Sequence, residues 1–314
     1  MTIEAPLSAL LARWITVLSM AALIGGLGLD VLILPRDAHL LAARTRLRRW
    51  SRVWALALTV ASLVELFLRA STMSGGDAEA ALGAIPIVLA RTHFGVVWMA
   101  RLTALAVVLL AGRAGGTRPA IGLVAAIGVG LTSSLTGHAA DWGDLSLSVL
   151  ADWIHIVASA LWTGGLVGLV LVATGALRAW PASLVSAVAR RFSRMAGACL
   201  LCVVATGVYG AWVEVPALAT LWTTPYGRWL VAKLAIVLGI VGLGAVNRYR
   251  IVPRLTGDAM RIRLFTLIRR EAALAMLVFA CTAGLTESTP ARHAHHVHTD
   301  TTGARTTHDH VMSP

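Results

Sequence analysis

Eight runs of apolar residues, each near the roughly 20 that a helix needs to cross the hydrocarbon core of a bilayer, dominate this sequence. They fall at 8–34, 50–70, 94–112, 119–137, 148–174, 193–213, 227–246 and 271–289. A backbone in lipid must satisfy its own polar groups, so such runs predict helices. A length of 314 would otherwise suggest two soluble domains. With 57% hydrophobic and only 13% charged residues, the chain cannot build the surface that water requires. The expected fold is an all-α membrane protein of about eight transmembrane helices. The first run follows no basic segment and no small-residue cleavage site, so it reads as a retained helix and not a signal peptide.

Where the charge sits decides what it means. The net charge of +12 would suit nucleic acid, but the arginines sit in short loops and not on one basic face of a folded domain. Nucleic-acid binding is therefore excluded. Arg44, Arg46, Arg48 and Arg49 precede run 2, and Arg113 and Arg118 lie between runs 3 and 4. Arg190, Arg191 and Arg194 precede run 6, and Arg248, Arg250, Arg254, Arg261 and Arg263 separate runs 7 and 8. These loops alternate along the chain, and the positive-inside rule makes them cytoplasmic. Both termini and the segments 69–93, 138–147 and 213–226 then face outward.

The two halves repeat one another. Trp14-Ile15 precedes Gly25-Gly26 at the spacing by which Trp153-Ile154 precedes Gly164-Gly165. RRWSR (48–52) matches RRFSR (190–194), and THFGVVWMARL (92–102) matches TPYGRWLVAKL (224–234). LTSSLT (131–136) matches CTAGLT (281–286). Four matches in one order indicate duplication of a four-helix unit, and an even helix count makes the repeats parallel. The expected divisions are a first repeat at 1–137, a second at 138–290 and a His-rich tail at 291–314.

Three histidines break that symmetry near the outer face: His93 before run 3, His138 after run 4 and His155 inside run 5. In run 5, Asp152, His155, Ser159 and Trp162 recur at i, i+3, i+7 and i+10, one face of a helix. A carboxylate and an imidazole on one face can ligate one ion, or the acid can orient the ring. The plainer reading is a hydrogen-bonded packing stripe, but ionisable residues in a membrane are costly and point to function. His39 sits at the opposite, cytoplasmic end of run 1.

The remaining intramembrane charges read as structural. Glu65 and Arg101 lie at similar depth, roughly 8–10 Å from the outer ends of their runs at ~1.5 Å per residue, and should pair. Lys233 occupies the place of Arg101 in the second repeat, where Gly207 replaces Glu65, so it needs another acid such as Asp152 or Glu214, or must snorkel outward. Asp30 and Glu271 lie at cytoplasmic ends beside arginines. Cys199, Cys202 and Cys281 all fall in apolar runs and imply no disulfide framework. As soft ligands they suit Cu(I), and as small residues they pack like alanine. The tail carries His293, His295, His296, His298, His308 and His310, a composition that binds transition metals weakly.

TGHAADWG (136–143), DWIHIVASALWTGGL (152–166), RRFSRMA (190–196), PYGRWLVAKL (225–234) and NRYRIVPRL (247–255) together resemble the CopD/PcoD family of copper resistance membrane proteins. The resemblance implies a multi-pass protein of the bacterial inner membrane, with copper, Cu(I) or Cu(II), as the species handled. It also implies a separate periplasmic CopC-like copper-binding partner, and it maps the outer-face histidines to His138 and His155 with Asp152 beside them. The expected function is non-enzymatic movement of copper across the membrane from a site of His93, His138, Asp152 and His155. Two other readings stay open: a b-type haem or metal-reductase redox protein, and a non-transporting scaffold for a periplasmic copper chaperone.

Overall fold

The computed structural model describes residues 7–112, 118–174, 180–215, 217–254 and 258–288. The His-rich tail, with His293, His295, His296, His298, His308 and His310, lies outside the described residues, as do Arg113 and Arg178. Among the described residues the structure is helical and holds no strand. In order the helices are α1 (Leu7–Gly28), α2 (Leu41–Met73), α3 (Ala78–Arg91), α4 (His93–Ala111), α5 (Arg118–Ser134), α6 (Leu147–Ser159), α7 (Gly165–Ala173), α8 (Ala182–Glu214), α9 (Thr220–Thr223), α10 (Pro225–Val246) and α11 (Asp258–Glu287).

Among the described residues, six spans are long and apolar enough to cross a membrane: Leu10–Ile33, Ala38–Met73, His93–Ala111, Leu147–Ala173, Ala182–Glu214 and Pro225–Arg254. The shorter apolar helix α5, Arg118–Ser134, packs on α4 and α1. Helix α11 carries Arg261, Arg263, Arg269 and Arg270 in its first half and is apolar from Ala272 onward, where it packs on α10, α1 and α7. Helices α2, α8 and α11 all begin well before their apolar runs. Arginine is a good helix former, so the helix continues through the basic segments that bound the hydropathy.

Helix α1 is the centre of the bundle. Within its apolar window 72% of residues are buried inside the chain, against 6% in α8 and 6% in α10. What lets α1 approach its neighbour is glycine. A Cβ added at Gly25 would sit 2.6 Å from the Gly164 Cα, and one at Gly164 would sit 2.6 Å from the Ala21 carbonyl carbon. The backbones touch there, as small residues allow between membrane helices. A wide π-helical turn at Ala160–Gly164 joins α6 to α7 at this crossing. It buries Trp162 in the core while Asp152 and His155 stay half-buried, so the expected four-residue stripe is divided.

Tryptophan indoles tie helices together across the apolar medium. Trp50 Nε1 donates to the Ala22 carbonyl at 3.2 Å, Trp98 Nε1 to Ser62 at 2.8 Å and Trp153 Nε1 to Ile127 at 3.0 Å. Such interhelical bonds contribute about 0.6 kcal/mol each.

The two T-x-aromatic-G segments form the same corner. Thr92 Oγ1 accepts from the Gly95 amide and Thr224 Oγ1 from the Gly227 amide, each at 3.0 Å, capping α4 and α10. Each glycine also lies against the backbone of the preceding helix, α3 or α9. Helix α3 itself replaces what the sequence suggests is a loop. Asp77 caps it by accepting from Ala80 N at 2.7 Å, and Pro86 sits inside it.

Candidate functional site

His93, His138 and His155 lie toward one end of the bundle, where α2, α4 and α5 end or begin and α6 starts, and His39 lies at the other. Two of them, His93 and His138, have carboxylate neighbours. His93, the first residue of α4, bonds Asp144 through Nε2 at 2.8 Å, with both side chains about half exposed. His138 opens a 3₁₀ turn, His138–Trp142, whose pitch brings Asp141 to 3.9 Å from its Nδ1. Ser146 caps α6 by accepting from Val149 N at 3.2 Å, which sets the phase of the helix that carries Asp152 and His155.

Deeper in α6, His155 Nδ1 lies 2.9 Å from Thr206 Oγ1 of α8, and that hydroxyl donates to the Cys202 carbonyl at 2.7 Å. With its proton so used, Thr206 Oγ1 accepts from the ring, which leaves Nε2 as the free lone pair. The His155 ring also covers Gly207, where a Cβ would stand 3.6 Å from Cε1. Asp152 lies beside Ser134 of α5 and within electrostatic range of Lys233 on α10 and of His138. Lys233 in turn faces Asp152 and Cys281, and it is within electrostatic range of His155. Ser134 Oγ is buried with no hydrogen-bond partner, so the Asp152–Ser134 approach is looser than a bond.

Not all four candidates converge. Asp152 has His138 within electrostatic range, His155 turns to Thr206 of α8, and His93 turns to Asp144. Among the described residues no three His, Cys, Asp or Glu side chains meet closely enough to hold a metal ion. Beside His93 lies a cavity of about 400 Å³, lined by Arg69, Met73, His93, Phe94, Thr136 and Asp141. Sequence reasoning left Met73 unassigned and missed Asp141 and Asp144 as partners. The run HAADWGD held the signal, since a turn at 138–142 presents its acids back toward the imidazoles.

The structural charges resolve clearly. Arg101 Nη1 bonds Glu65 at 2.7 Å, its Nε donates to Thr132 Oγ1 at 3.0 Å, and its Nη2 reaches the Thr132 carbonyl and Thr136 Oγ1 at 3.3 Å. Asp30 pairs with Arg44, which also donates to the Leu34 carbonyl at 2.8 Å. Glu271 departs from expectation: it bonds Asn247 and no arginine among the described residues. Cys199 and Cys281 are buried and Cys202 is exposed, all as free thiols. At the arginine-rich end, the backbone N–H and ring of His39 both bond Asp37 and hold its carboxyl below the usual carboxylate range.

Taken together, the fold defines a polytopic helical membrane protein with imidazoles and carboxylates gathered at one end. Two family models match in tandem: Copper resistance protein D-like, N-terminal domain, over residues 3–147, and Copper resistance protein D over residues 186–285. The chain belongs to the copper resistance protein D family and is a copper-related, multi-pass membrane protein. It is similar to copper transport protein CutJ of Bacillus subtilis (strain 168), with 27% identity over 125 residues. The match spans 40% of this chain and only 23% of that relative's length. No solved structure matches the chain.

Proposed function

We propose that this protein moves copper across the bacterial inner membrane through a site in its second half, built from His138, Asp152 and His155 at the outer face. The observation that carries the reading is Asp152. It is a half-buried carboxylate at an apolar helix, with His138 and Lys233 within electrostatic range, His155 three residues further along α6, and no ion pair among the described contacts. Lys233 balances its charge until copper arrives as the competing cation. Imidazole accepts either oxidation state of copper, and the carboxylate favours Cu(II). His93, Met73 and Asp141 line the cavity through which the ion enters.

The same reading takes α5 and the apolar half of α11 as the seventh and eighth spans, in two duplicated four-helix units at 1–137 and 138–290. The matched corners at Thr92-Gly95 and Thr224-Gly227 support the duplication. Both termini then face the periplasm, where the 291–314 tail gathers copper weakly and a CopC-like protein delivers it. That CutJ is a copper transport protein supports the choice of cargo. The protein acts as a transporter and not as an enzyme.

The test is copper binding to purified protein, full-length and truncated after Pro290. His138→Ala or His155→Ala removes one tight copper, while truncation removes only weaker sites. Unchanged stoichiometry in both point variants rejects the site. Copper entry into sealed vesicles above empty lipid separates a transporter from a scaffold. A Soret band with sharp reduced α and β bands in the purified protein would instead establish haem.

A further inference from the structure

At the arginine-rich end, opposite the histidines, lies a polar pair that the copper reading leaves without a task. Glu271 of α11 is 4% exposed and Asn247, at the end of α10, is 8% exposed. Asn247 opens a π-helical turn, Asn247–Ile251, and its Nδ2 donates to Glu271 Oε1. The other atom of the same amide, Asn247 Oδ1, is buried with no partner. A buried acceptor without a donor loses its hydration and gains nothing in return, so its lack of a donor calls for one.

Nothing charged among the described residues compensates Glu271. Of the groups on its own helix, Arg269 stacks over Phe265 and Arg270 is exposed. On the adjoining turn, Arg248 donates to the Ser193 carbonyl, and Tyr249 and Arg250 are exposed. Helix α7 brings no titratable group, and α1 brings only Arg13 in its outer half, with Asp30, beyond its last residue, committed to Arg44. No charged side chain among the described residues interacts electrostatically with the Glu271 carboxyl.

A neutral carboxylic acid satisfies both partners. It accepts the amide N–H on one oxygen and offers O–H from the other, the donor that Asn247 Oδ1 lacks. We propose that Asn247 and Glu271 form a proton-binding site, in which Glu271 carries the proton as a neutral acid and exchanges two hydrogen bonds with the Asn247 amide. On release, the O–H bond breaks and the proton passes to water beside the exposed Arg248–Arg250 segment, leaving a carboxylate. Reloading reverses that step. The site gives the chain a proton-exchanging group on the face opposite the copper ligands, and it stands whether or not copper is the cargo.

Infrared difference spectroscopy on the full chain in lipid nanodiscs tests this without metal. Wild type minus Glu271→Gln at neutral pH is expected to show the carbonyl band of a protonated carboxylic acid, shifted in heavy water. Asn247→Leu keeps the acid but removes its bonding partner, so the band moves to higher frequency. A wild-type-minus-Glu271→Gln spectrum without an acid carbonyl band overturns the proposal. So does a band whose frequency is the same in Asn247→Leu, which also serves if Glu271→Gln does not fold.

Discussion

Arg101 and Lys233 hold matching places in the two halves, and their surroundings are opposite. Arg101 is almost fully buried and satisfied by Glu65, Thr132 and Thr136. Lys233 has Gly207 where the first half has Glu65, and it shares electrostatic range with Asp152, His155 and Cys281 without a direct ion pair. The surrounding helices follow suit: the apolar window of α4 is 44% buried within the chain, that of α10 only 6%. A cation locked by three partners fixes a scaffold, whereas one left half-committed can yield to a competitor. The first half thus holds its cation as scaffold, and the second keeps polar groups available.

The largest effect belongs to the crossing of α1 with the α6–α7 turn. Gly164→Val should abolish folded protein, because its first added carbon already enters the Ala21 backbone. Gly242 on α10, with nothing within 4 Å of an added Cβ, should accept alanine with no loss and up to about 1 kcal/mol of gain. Monodisperse yield in mild detergent and the thermal midpoint read both. Equal tolerance at the two positions would break the contrast between a tight centre and a loose periphery.

Next in size is the pair of cations themselves. Arg101→Met strands Glu65 and should cost about 3–5 kcal/mol, the range for removing one partner of a buried ion pair. Lys233→Met should cost less and, by removing a like charge beside the site, should tighten copper binding. Thermal unfolding together with a copper titration checks the two variants. If Lys233→Met is as destabilising as Arg101→Met, the lysine is scaffold and the comparison fails.

How far these features were legible follows from the length scale of each cause. Bilayer thickness acts on runs of some 20 residues, so six long apolar helices return where hydropathy places them. The Glu65–Arg101 bond was legible because both charges had to find a partner at one depth. Helix α3 was hidden, since Pro86 and Glu79 make its segment read as a loop and its stability comes from packing on α2 and α4. The carboxylate partners of His93 and His138 depend on the turn at 138–142, and no periodicity announces such a turn. The partner of Glu271 was hidden for a related reason: its neighbours in sequence are arginines, while the π-turn brings Asn247 to it.

Thr206 sharpens the comparison at finer scale. It orients the His155 ring from α8, and Thr206→Val keeps the shape while removing the acceptor for Nδ1–H. Loss of a partner that orients a metal-binding histidine weakens affinity by about 10–100-fold. A copper titration of Thr206→Val should show that loss with the stoichiometry retained. An unchanged affinity would mean that packing and the Val203 carbonyl of α8 hold the ring without the hydroxyl.

The smallest effect tests whether the site stops at the second half. The His93–Asp144 pair joins α4 to the segment before α6, with side chains 52% and 50% exposed. A pair so open to water is worth no more than about 1 kcal/mol and is screened by salt. Asp144→Asn should therefore shift stability by less than that amount at low salt and hardly at all at high salt. Its copper stoichiometry should match wild type, because the bond frees or fixes His93 at the cavity and leaves Asp152 and His155 untouched. If Asp144→Asn removes a tight copper as His155→Ala does, His93 is a ligand in the same sphere. The metal would then bridge the two halves, and the first half would be more than a scaffold.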